Sequence, residues 1–146
     1  MLDVGSTMTM EAWDIKYKPN LDWNHAWGAA PASIIVRKMM GIEPLTPGYK
    51  SVKIKPQVGN LTAAKLKTPT IRGSILCEWK TTGSGFSFAV TVPANMTALV
   101  YLPVSDPASV KEGNISALKA LGVKFVRVEK GFVVFEVQAG TYNFAT

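Results

Sequence analysis

The stretch Lys124-Phe125-Val126-Arg127-Val128-Glu129-Lys130-Gly131-Phe132-Val133-Val134-Phe135-Glu136-Val137 decides how the rest of the chain is read. Two runs rich in β-branched and aromatic residues flank a short polar segment, and such residues suit the pleated, half-buried surface of a strand. Gly131 supplies the positive φ that a tight turn needs, so the spacing predicts a hairpin. A second hairpin is predicted upstream, joining Leu76 to Thr81 with Phe86 to Val92 through Gly83-Ser84-Gly85. Alternation recurs between turn signals at Val52 to Ile54, Ala63 to Leu66 and Ala98 to Leu102, and that pattern is the signature of an antiparallel β-sandwich. Ile115 to Leu121 has the length of one or two helical turns ending at Gly122.

Upstream of this region the composition changes. The residues up to Tyr49 hold three of the four tryptophans, most of the methionines and the single histidine. Pro31 to Met40 sets Ile34, Ile35 and Met39 at helical spacing, with Pro31 suited to a first turn and Gly41 to a C-terminal cap. Pro44, Pro47 and Gly48 then forbid helix continuation. The expected organisation is a helical segment over 1–46 and a β-sandwich over 47–146. One short helix cannot bury an apolar stripe and several indole rings by itself, so the segment reads as part of a larger helical assembly.

With 146 residues and 47% hydrophobic content the chain has enough apolar mass for a true core. Its net charge of +6 is spread out, because Lys50, Lys53, Lys55, Lys65, Lys67 and Lys80 alternate with apolar residues as the solvated faces of strands do. Dispersed lysines without a recognition motif argue against a nucleic-acid partner. No run of apolar residues is long enough for a membrane-spanning helix, and no signal segment opens the chain. Cys77 is alone, which excludes an internal disulfide, and it reads as a buried strand residue. Sequons at Asn60, Asn95 and Asn114 carry no weight, since such triplets are frequent by chance.

The first 27 residues concentrate chemistry: Asp3, Glu11, Trp13, Asp14, Asp22, Trp23, Asn24, His25 and Trp27. Carboxylates among flat aromatic faces are the components of a sugar site, where one carboxyl protonates the leaving oxygen, another activates water, and rings stack on the sugar. The same residues also make an ordinary Trp-rich core with surface acids. Asp14 and Asp22 sit in loop-like stretches where Asp serves turns, and Glu78, Glu112 and Glu129 read as structural. No phosphate loop, zinc-spaced ligand set or Ser-His-Asp order is present, so neither a metal nor a cofactor is expected.

The order of the residues adds to this. Gly5-Ser6-Thr7-Met8-Thr9-Met10-Glu11-Ala12-Trp13-Asp14, followed by Asn24-His25-Ala26-Trp27-Gly28-Ala29, resembles the end of the catalytic domain of bacterial α-L-rhamnosidases, glycoside hydrolase family 78. Met40-Gly41-Ile42-Glu43-Pro44 and Pro47-Gly48-Tyr49-Lys50-Ser51-Val52-Lys53-Ile54-Lys55-Pro56 are similar to that family's exit into its C-terminal sandwich, as are Gly73-Ser74-Ile75 and Glu78-Trp79. Met10 stands where the family often has Trp, and the step from Glu11 to His25 is shorter than in many members.

The resemblance implies the last helical segment of an (α/α)₆ barrel followed by the sandwich, and hydrolysis of terminal α-linked L-rhamnose with inversion. It places Glu11 as the general base, His25 on the sugar hydroxyls, and Trp13 and Trp27 either lining the pocket or packed in the barrel. The family's general acid lies upstream of this motif, so the isolated chain is expected to be inactive and to partner the rest of the barrel. The implied ligand is a rhamnose-containing glycan. Exposed barrel surface would favour self-association, and enzymes resembling this one act in the periplasm or outside the cell. The competing expectation is a carbohydrate-binding or structural module. That role would need an exposed aromatic on the sandwich, whereas Trp79, its one tryptophan, alternates to the inside.

Overall fold

The computed structural model describes residues 2–83 and 85–146, and position 84 of the predicted Gly83-Ser84-Gly85 turn lies outside them. The chain forms two compact units, Met1–Ile35 and Val36–Thr146. Backbone hydrogen bonds rather than long regular elements shape the first. A 3₁₀ turn at Ala26–Ala29 runs into a short helix α1 (Ala30–Ile34), with Pro31 in its first turn. The next turn, Ile35–Met39, widens to π geometry and ends at Gly41 with φ +69°. The single regular helix expected over Pro31 to Met40 is therefore a 3₁₀–α–π succession. The β-branched pair Ile34-Ile35 sits at the widening, where crowding against the preceding turn makes tight winding least favourable.

The second unit is a β-sandwich. One sheet has the order β1-β2-β6-β10-β9, built from β1 (Ile42–Pro44), β2 (Ser51–Ile54), β6 (Thr97–Leu102), β10 (Phe132–Val137) and β9 (Val123–Glu129). The other has the order β3-β4-β5-β11-β7-β8, from β3 (Ala63–Thr70), β4 (Gly73–Thr82), β5 (Gly85–Val92), β11 (Gly140–Ala145), β7 (Lys111–Glu112) and β8 (Ile115–Ser116). Pairing is antiparallel except between β2 and β6. The β9–β10 hairpin closes through Lys130 and Gly131, at φ +48° and +81°, with Glu129 opposite Phe132. Ile115 to Leu121 divides between β8 and a 3₁₀ turn at Ala117–Lys119.

Alternation delivers the core. Cys77 and Trp79 from β4, Phe88 and Val90 from β5, Val100 from β6, Val133 and Phe135 from β10, and Phe144 from β11 are all essentially inaccessible. Phe135 stacks on Phe144 at 6.0 Å, an aromatic contact that bridges the two sheets, and meets Phe125 of its own sheet edge-on at 6.1 Å. Lys65 and Lys80, pointing outward, both reach Glu78, at 3.0 and 3.1 Å. Lys53, Lys65, Lys67 and Lys80 are thus strand residues, as their spacing implies, whereas Lys50 and Lys55 flank β2. Burial pushes the Cys77 thiol up to about 12, which keeps it neutral and unreactive. Among the described residues no helix is long and apolar enough to cross a membrane.

Candidate active-site cluster

In the first unit two irregular stretches, 7–11 and 22–25, lie side by side. Glu11 N donates to Asp22 O at 3.0 Å, and His25 N donates to Thr9 O at 3.2 Å. Asn24 fixes their upper end, because its Oδ1 accepts from Thr7 N at 3.0 Å, Met8 N at 3.2 Å and the Thr7 hydroxyl at 3.1 Å. The buried Ser6 hydroxyl lies against the Met8 and Trp23 carbonyls. Asn24 therefore acts as a clamp, a role distinct from that of its neighbour His25.

Gly28 tightens the cluster from below. A Cβ there would come within 2.8 Å of Thr9 Oγ1 and 3.0 Å of the Thr9 and Met10 carbonyls, closer than side chains approach. Gly28 N in turn donates to His25 O at 2.9 Å. Only a residue without a side chain lets the turn after His25 pack on the irregular stretch that carries Glu11.

This backbone pairing brings Glu11, Asp22 and His25 together, their side-chain donor atoms all within 4.8 Å of one another. Asp22 Oδ2 stands 3.3 Å from His25 Nδ1. The Lys18 ammonium sits on Glu11 Oε1, and Asp22 N donates to Glu11 Oε2 at 3.4 Å. The Lys18 hydrogen bond is the main reason the Glu11 carboxyl is held below the usual carboxylate range. Glu11 is therefore an ionised carboxylate across neutral pH, able to accept a proton. Two carboxylates and an imidazole are also the donor types of a metal site, but here the cation on Glu11 is the Lys18 ammonium.

The aromatic residues are placed differently from a core. Trp13 is 77% and Trp27 86% exposed, and the Trp27 ring is tilted 43° to His25 at 6.4 Å. Trp27 thus flanks the cluster with a solvent-facing indole, while Trp13 lies two residues beyond Glu11 with its ring in solvent. Lys18 and Asp22 are the members that motif reading passes over. Lys18 carries no signal in its spacing, and Asp22 has the appearance of a loop acid until the chain reversal sets it against Glu11 and His25. Asp14 stays apart, accepting from Lys16 N at 2.9 Å in a local turn. In the sandwich Trp79 is fully buried, stacked against Phe86 at 6.2 Å, and offers no face to a sugar.

Comparison with known proteins gives a consistent answer. Residues 41–116 match the family model of the bacterial alpha-L-rhamnosidase C-terminal domain. An alpha-L-rhamnosidase of Streptomyces avermitilis is 30% identical over 98% of this chain, and one of Formosa agariphila is 28% identical over 98%. The crystal structure of the Streptomyces avermitilis enzyme complexed with L-rhamnose superimposes with a TM-score of 0.75 over 99% of the chain. An alpha-L-rhamnosidase from Dictyoglumus thermophilum follows at 0.74 and 26% identity. The chain spans only 14% of the first relative's length and 16% of the second's.

Proposed function

The chain belongs to the bacterial α-L-rhamnosidase C-terminal domain family, and on that footing we propose that it serves an inverting α-L-rhamnosidase by supplying its general base together with a supporting sandwich. The observation that carries this reading is the cluster of Glu11, Asp22 and His25, held by backbone pairing in front of the exposed Trp27 ring. Glu11, ionised beside Lys18, takes a proton from the water that attacks the anomeric carbon. Asp22 faces His25 Nδ1 and so holds the proton on that nitrogen, which leaves Nε2 to accept from a sugar hydroxyl. Trp27 offers a flat face to the ring's C–H groups.

Asp22 is not the partner acid in this scheme. Inverting glycosidases separate their carboxyl groups by roughly 6.5–9.5 Å to admit water, and retaining ones by roughly 5–5.5 Å. A carboxylate oxygen of Glu11 and one of Asp22 lie within 4.8 Å of each other, too close for an inverting pair, and in this scheme the acid that protonates the leaving oxygen is supplied by the upstream part of the longer enzyme. Exposed Trp23, Ile34 and Ile35 fit the same arrangement, since exposed apolar side chains suit contact with further protein.

The test is hydrolysis of p-nitrophenyl α-L-rhamnoside, followed by proton NMR, for this chain and for the enzyme with its upstream sequence. The longer enzyme is expected to release β-L-rhamnose first and the isolated chain to release nothing. Release of the α-anomer would overturn inversion, and turnover by the isolated chain would overturn the split of base from acid.

A further inference from the structure

At one end of the sandwich, four segments converge: the starts of the parallel strands β2 and β6, the β3–β4 turn and the end of β10. Between them opens a cleft of about 650 Å³, within the roughly 300–1,000 Å³ of small-molecule sites. Its polar lining is Lys50, Arg72, Asn95, Thr97 and Gln138, and Met96 and Ala139 supply apolar surface. None of these is an acid, so the lining carries two positive charges and no negative one.

Arg72 is set in place by the backbone. Its Nε donates to Gly48 O at 2.6 Å and its Nη1 to Asn95 O at 3.4 Å, while Nη2 makes no hydrogen bond among the described residues. A guanidinium already oriented loses little freedom on meeting an anion, and its open Nη2 offers charged N–H donors to a carboxylate oxygen. Two of the chain's non-glycine residues in the left-handed region, Tyr49 at φ +55° and Asn95 at φ +61°, stand at this cleft or beside it. Backbone strain of that kind persists where the surroundings over-determine it, and it gathers at ligand sites.

We propose that this cleft binds a carboxylate-bearing sugar, that is, a uronate. Arg72 Nη2 and the Lys50 ammonium take the carboxylate. Asn95, Thr97 and Gln138 offer hydrogen bonds to the hydroxyls, and Ala139 lies against the ring's apolar face. That the ligand is anionic rests on the cleft alone. That the anion is carried by a sugar rests on the glycosidase reading above.

The chain is titrated with methyl β-D-glucuronide, methyl β-D-glucoside and acetate, and binding is read from amide shifts in two-dimensional NMR. The expected result is saturable shifts of Asn95, Thr97 and Gln138 with the glucuronide, and binding at least roughly tenfold weaker for the glucoside, which lacks the charged hydrogen bonds, and for acetate, which lacks the hydroxyl contacts. Arg72→Gln is expected to weaken glucuronide binding by a similar factor. Because Arg72 also ties two loops, Lys50→Gln is the second variant: Lys50 is exposed, so its removal leaves the fold intact and reads the charge alone. Equal binding of the neutral glucoside, acetate binding as tight as the glucuronide, or no binding of any of the three overturns the proposal. Rhamnoside cleavage is measured separately, so a failure here is distinguishable from a failure of the glycosidase reading.

Discussion

Asp22 Oδ2 lies 3.3 Å from His25 Nδ1, and the same Asp22 accepts Glu11 N through its backbone carbonyl at 3.0 Å. One residue thus orients the imidazole and positions the base. Asp22→Asn keeps the backbone link but presents an amide to Nδ1 and removes the charge that favours the proton there. In the longer enzyme this variant is expected to lose roughly tenfold in kcat/KM, the worth of one charged hydrogen bond. Steady-state kinetics with an aryl rhamnoside checks it, and an unchanged kcat/KM would remove Asp22 from the site.

With Glu11 as the proposed base, Lys18 is expected to set the acid limb of the pH–rate profile. Its ammonium is the first cause of the lowered Glu11 pKa, so Lys18→Met lets that pKa rise toward the ordinary carboxylate value. A base with a higher pKa is protonated at higher pH, and the acid limb of kcat/KM should move upward. A profile that stays in place would show that the limb belongs to another group.

The start of the sandwich carries a pH-sensitive tie. Glu43 on β1 faces Lys53 on β2 in register, with their charged atoms 2.5 Å apart, and Lys38 reaches it from the preceding turn at 2.8 Å. The Lys38 and Lys53 hydrogen bonds hold its carboxyl down at about 2. Because the folded value is the lower one, the stabilisation is complete above the ordinary carboxylate range and disappears as pH falls toward about 2. Denaturant melts of the chain and of Glu43→Gln should therefore differ at pH 7 and converge near pH 2.

Phe135 joins the two sheets through its contact with Phe144, meets Phe125 of the neighbouring strand edge-on, and is fully buried. Phe135→Ala is expected to cost about 3–5 kcal/mol, the usual penalty for emptying an aromatic core position. The shift in denaturation midpoint measures it. A loss below about 1 kcal/mol would mean that the neighbouring rings collapse into the space.

The sandwich was legible where alternation or a clear turn stands in the sequence. The Phe125-Val128 and Phe132-Val137 runs are rich in β-branched and aromatic residues and specify their pairing through Gly131 between them, and Trp79 follows its alternation to the inside. Strands β7 and β8 were not legible, because two-residue strands have too few positions for a period. Strand β11 did carry a period-two signal in Tyr142 and Phe144, but it lies between Gly140 and the final residues, where it is easily taken for a tail. In the candidate site, Glu11 and His25 emerged from motif order. Their companions Asp22 and Lys18 did not, since what joins them is the pairing of stretches 7–11 and 22–25, which leaves no period in the sequence.

The measurement closest to the central claim is kcat of the longer enzyme carrying Glu11→Gln, with p-nitrophenyl α-L-rhamnoside as substrate. The amide keeps the shape and cannot accept the water proton, so kcat should fall by roughly 10²–10⁴ while thermal unfolding stays close to that of the unaltered enzyme. Turnover within a few-fold of the unaltered enzyme would contradict the assignment of Glu11 as the base and, with it, a catalytic role for the first unit of this chain.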